Sequence, residues 1–137
     1  MKKYLLSSVL ALTMAGACHE AFAQDFSRHF EDATLRLDYI FAGNNNSQAI
    51  YLDRMKSQKG WYGRRTNMNC LPLQGNGTIT VTDATGTDTL YMHSFSTLFQ
   101  EWQSTEEATR VAKSFENTFL IPMPKESVQI TVELKNM

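Results

Sequence analysis

Cysteine is nearly absent from this sequence: two occur in 137 residues, Cys18 and Cys70. A disulfide-stapled secreted miniprotein needs several pairs, so that class is excluded. Histidine is scarce as well. Of the three, His19 lies in the N-terminal stretch, and His29 and His93 stand far apart with no carboxylate at a repeating ligand-like interval. His19-Glu20 begins a His-Glu-x-x-His pattern, but Ala23 occupies the place of the second histidine. No nucleophile-elbow glycine pattern surrounds a serine, and Cys70 has no neighbouring base. A catalytic residue, a metal and a cofactor are therefore not expected. Charge of one sign is not in excess either. The formal net charge of −1 at pH 7 gives no reason to expect nucleic acid or an anionic membrane as partner. Internal repeats and low-complexity tracts are missing, which leaves a single domain.

The N-terminus has the three parts of a secretory signal. Lys2 and Lys3 form the charged start, Tyr4 to Ala17 is mostly apolar and small, and Ala21-Phe22-Ala23 is a small-x-small cleavage site. The apolar run is too short, and too polar at Ser7-Ser8, for a membrane span. A signal peptide over 1–23 and a domain over 24–137 are expected, with export to the periplasm, cell surface or medium. The alternative is a lipoprotein signal at Ala15-Gly16-Ala17-Cys18. Lipidated Cys18 would tether the domain to a membrane, and this is the only membrane association expected.

The rest of the chain is strand material. Phe26 and Phe30, four apart, suit one helical turn or an anchored lead-in. Leu35, Leu37, Tyr39 and Phe41 alternate with Arg36, Asp38, Ile40 and Ala42, which predicts a half-buried strand near 34–42. Gly43 to Ser47 turns the chain, and Ala49 to Leu52 is a short second strand. Asp53 to Gly60 has no period and reads as a loop or a single helical turn. Gln74-Gly75-Asn76-Gly77 is a turn; no Lys-Ser/Thr follows it, so it is no phosphate loop. Thr78 to Thr82 and Leu90 to Phe95 form a hairpin across Asp83–Asp88. Phe95, Leu98, Phe99 and Trp102 fall on one face of a short helix. Ser104-Thr105-Glu106-Glu107 matches a capping box and predicts a second helix near 105–112. Phe115, Asn117, Phe119 and Ile121 share one side of a strand that Pro122 and Pro124 stop. Val128, Ile130, Val132 and Leu134 alternate in a closing strand. Six to seven short strands, each with one dry face, must cover one another. The expected fold is all-β, an antiparallel β-sandwich with a short helical insertion near 96–112.

Trp61, Tyr62, Arg64 and Arg65 form the one candidate ligand-binding group. Two aromatics beside two arginines suit stacking on a sugar or recognition of a carboxylate. The preferred reading is plainer: Trp61 caps the core and both arginines face solvent.

Phe30 to Gly43, Trp61 to Arg65, Leu71 to Gly77, Ser94 to Trp102 and Lys113 to Lys125 occur in an order that resembles a known family. The family is the N-terminal domain of secreted bacterial IgA-peptidase-like zinc metallopeptidases, and the resemblance covers about 30–135. It implies a β-sandwich accessory domain in front of a zinc peptidase domain, in an exported protein of a host-associated Gram-negative bacterium. The family's zinc ligands and catalytic glutamate have no counterpart here, so no catalytic role carries over. The partner implied is a peptidase domain, or another protein, on which this domain packs. A stand-alone exported binding module for a protein or glycan is the alternative.

Overall fold

The structure, a computed structural model, describes residues 26–71 and 73–135. The signal peptide expected over 1–23, its cleavage site and Cys18 lie outside the described residues.

A short helix α1 (Phe26–His29) leads into β1 (Phe30–Asn44), which turns back as β2 (Ser47–Lys59). The turn is local chemistry. Asn44 Oδ1 accepts from the Asn46 N–H at 2.9 Å and from the Ser47 hydroxyl at 3.0 Å. Gly43 sits at φ +148°, where a Cβ would lie 2.0 Å from the Ser47 carbonyl oxygen, so only glycine fits. After an irregular segment come the hairpin β3 (Gly77–Asp83) and β4 (Thr89–Phe95), then helix α2 (Leu98–Gln103) and a 3₁₀ turn at Glu107–Thr109. The chain closes with β5 (Lys113–Pro124) and β6 (Val128–Leu134). The strands make two antiparallel three-stranded sheets, ordered β2-β1-β5 and β4-β3-β6. This is the expected all-β sandwich.

The core lies between the sheets and is largely aromatic. Leu37 and Phe41 of β1 and Phe119 and Ile121 of β5 meet Ile79 and Val81 of β3 and Tyr91 of β4. The Phe41 ring has Phe95, Phe99 and Phe119 each 6.3 Å away, and Phe95 and Phe119 are 4.6 Å apart. Each buried phenylalanine contributes about 1.5–3 kcal/mol by leaving water, so this cluster dominates the packing.

Four expectations are corrected. Asp53 to Gly60 is not a loop: β2 runs unbroken to Lys59. The period is hidden because β2 is a sheet edge with almost no buried residue, so its side chains alternate between two wet faces. The second helix near 105–112 is only one 3₁₀ turn, without a side-chain cap. Ser104 instead donates its hydroxyl to the Glu101 carbonyl at 2.7 Å, closing α2, while Glu107 accepts from Trp102 Nε1 and Lys113 Nζ. On α2 the face differs too, since Leu98 points to solvent and Gln100 and Gln103 are buried with Phe99. Finally, Pro122 does not stop β5, which ends only at Pro124; the two prolines pair with Thr34 and Phe30 of β1. Proline has no N–H, so these are non-hydrogen-bonded pairs whose nitrogens face away from β1, as edge strands allow.

Candidate docking surface

The segment from Trp61 to Arg65 leaves β2 and folds onto the second sheet. Trp61 is only 7% exposed; it stands edge-on to Tyr91 at 6.0 Å and donates Nε1 to the Arg64 carbonyl at 2.9 Å. Its backbone N–H donates to Asp32 at 3.0 Å. Arg64 turns inward over the Tyr91 ring. Its guanidinium donates to the carbonyls of Cys70 at 2.7 Å, of Met68 at 3.1 Å and of Met92. One side chain thus fastens the 61–70 segment to β4. Arg65 lies over the Phe26 ring and bridges to Asp32 at 2.5 Å. Tyr62 is fully outward, at 93% exposure.

The four residues therefore do not share an exposed rim. Only Tyr62 and Arg65 face solvent, and Arg65 already holds an aspartate. The expectation that both arginines face solvent fails at Arg64, because the carbonyls of Cys70, Met68 and Met92 converge where one long fork-shaped donor reaches all three. Asparagine and serine do this job in shorter loops; nothing in the linear spacing of Arg64 marks it for three carbonyls.

The opposite feature lies where β6 ends. The Lys135 N–H donates to the Asn76 carbonyl at 2.9 Å. Gln100, 1% exposed, donates Nε2 to the carbonyls of Asn76 at 3.3 Å and Lys135 at 3.1 Å. Thr97 caps α2 by accepting from the Gln100 N–H at 3.2 Å. Three distant segments, 74–76, 97–100 and 135, are fixed together at this end. Next to these segments in the sequence two large apolar side chains stay exposed, Leu73 at 80% and Leu98 at 71%. Sequence reasoning missed the exposure of Leu98 by assigning it to the buried helix face. The Gln100 amide joins α2 to two other segments, at Asn76 and Lys135.

Over residues 25–137 the sequence matches the family described as Peptidase M64 N-terminus. The chain belongs to that family. No curated protein matches it. The name is that of a peptidase's N-terminal portion, as the motif order implied, and it places this M64 N-terminus domain in a metallopeptidase family. Among the described residues no group of three or more His, Cys, Asp or Glu is placed to hold a metal ion, and no helix is long and apolar enough to cross a membrane.

Electrostatics in the M64 N-terminus domain tie loops to strands. The Trp61 N–H, then Arg65, lower the Asp32 pKa; Arg36, then Thr118, do the same for Asp38. Thr85 and the Asp88 N–H lower Asp83, and Lys113 with Trp102 lower Glu107. Burial, helped by Arg64, lowers His93. A carboxylate lowered in the fold stabilises fully above the unfolded value, about 4, and its contribution is lost as pH falls through the folded value. A lowered histidine is protonated first in the unfolded chain, so its contribution is lost as pH falls below about 6.5. Urea unfolding followed by tryptophan fluorescence should therefore weaken in two steps on acidification. His93→Gln should remove the upper step and leave the lower one; an unchanged upper step would refute the assignment.

Proposed function

We propose that this M64 N-terminus domain is a non-catalytic accessory domain that packs on, or presents, an M64 peptidase domain. The contact is the end of the sandwich where β6 leaves. The observation that carries this reading is the pair of exposed leucines, Leu73 and Leu98, beside a backbone junction held rigid by buried Gln100. An exposed apolar pair on a fixed frame suits a partner surface. Lys135 is fixed at this same junction, which favours it as the side facing a peptidase domain. Trp61 and Arg64 serve the fold, which leaves the stand-alone binding reading without its anchor residues.

Tagged domain, residues 24–137, should retain a separately expressed M64 peptidase catalytic domain on affinity resin. Leu73→Asp with Leu98→Asp should weaken retention by at least about tenfold, since two buried leucines contribute roughly 3 kcal/mol or more. A wild-type domain that retains no catalytic domain, or a double variant that retains it equally, would overturn the reading.

A further inference from the structure

The first sheet has two edge strands, β2 and β5. β1 is its centre, and β2 is an edge from Ser47 to Lys59. Among the described residues, the backbone of 49–59 makes no hydrogen bond beyond its ladder to β1. The ladder shifts by one residue between Asp38 and Tyr39, so Met55 lies opposite Leu37 and Leu52 opposite Tyr39. The shift leaves Asp53 as the extra, bulged residue and places Leu52 and Met55 on the same, core-side face despite their odd spacing. The second sheet, built of seven-residue strands, does not cover them: Leu52 is 48% and Met55 59% exposed. On the outer face Tyr51, 60% exposed, precedes Arg54 and Lys56. Arg36 lies across the ladder from Lys56, and Asp38 across from Arg54. Asp38 is already occupied by Arg36 and Thr118.

Lysines on an edge strand ordinarily guard against unwanted pairing. A guard does not explain three large apolar side chains left half-bare within five residues of the same edge. We propose that the β2 edge accepts an extended segment of a partner protein in which apolar and acidic residues alternate. The partner's backbone continues the sheet, its apolar residues cover Leu52 and Met55, and its carboxylates meet Arg54 and Lys56 on the other face. The period of two in both strands delivers the two chemistries to the two faces. The chain as a whole is slightly acidic, so this cationic edge is a local feature and favours an acidic partner over a second copy of the chain. The proposal concerns a different surface from the exit end of β6 and stands without it.

The probe is a short acetylated, dye-labelled peptide of alternating valine and glutamate, with a valine–lysine peptide as its counterpart. The purified chain should bind the acidic probe saturably by fluorescence anisotropy, and the basic probe not at all. Arg54→Glu with Lys56→Glu should weaken binding about tenfold, the effect of two exposed charge pairs reversed, with an unchanged thermal midpoint. Amide exchange over 49–59 should slow when the acidic probe is bound. Binding of both probes alike, binding without slowed exchange, or a wild-type dimer that Met55→Asp dissociates would each overturn the proposal.

Discussion

Phe41→Ala lowers the unfolding free energy by about 3–5 kcal/mol, as expected for removing a fully buried ring from a close-packed core. Phe41 has no exposed surface, and three other phenylalanines stand around it at 6.3 Å. It also joins elements far apart in the chain, because its neighbours come from β4, α2 and β5. A cavity there cannot close by moving one loop. With domain stabilities of roughly 5–15 kcal/mol, the variant should be marginal or unfolded at 37 °C. Phe41→Leu fills most of the space and should cost about half as much. Equilibrium urea unfolding of both variants checks this, and a loss below about 1 kcal/mol for the alanine variant would refute the central place given to this ring.

Arg64→Ala is the second large loss, about 2–4 kcal/mol, although the residue is a charged one that sequence reasoning places in solvent. Its guanidinium donates to the carbonyls of Cys70, Met68 and Met92, and removing this shared donor takes a charge-assisted hydrogen bond from each of them in a partly closed site. Arg64→Lys should recover little, because an ammonium cannot present two flat donor edges at once. A local readout separates this role from general destabilisation. The Met92 N–H donates to the Met68 carbonyl at 2.8 Å, and its hydrogen exchange should accelerate far more than that of Ile79 in the core. Equal acceleration at both sites would show that Arg64 is no local clasp.

Strands with one dry face were legible in the sequence. The β3–β4 hairpin, β6 and the inner face of β5 show the period of two because one side meets the core. β2 was legible only over Ala49 to Leu52, and the reason is physical. An edge strand beyond the reach of the second sheet has no dry side, so its composition resembles that of a loop while its partner β1 dictates its conformation. The helical insertion failed for a related reason. Ser104 to Glu107 has the letters of a capping box, but those groups serve nearer tasks: Ser104 closes the preceding helix, and Glu107 joins Trp102 to Lys113. Local chemistry that fits two uses is decided by which partner lies closer in space. The candidate site suffered most. Trp61, Arg64 and Arg65 were identified as residues of consequence, yet two of them act inward, and the exposed Leu73 and Leu98 carried no pattern to announce them.

The prolines of β5 give the sheet a direction. A strand can join at β2, where backbone groups stand open. At the far edge Pro122 and Pro124 turn donor-less nitrogens outward, which cuts short any ladder at that end of β5. Head-to-tail stacking of copies needs two receptive edges, and the prolines confine the one on β5 to residues 113–121. The two edges are therefore unequal: β2 offers a longer ladder to an incoming strand than β5 offers to the next copy, which disfavours fibre growth through this sheet.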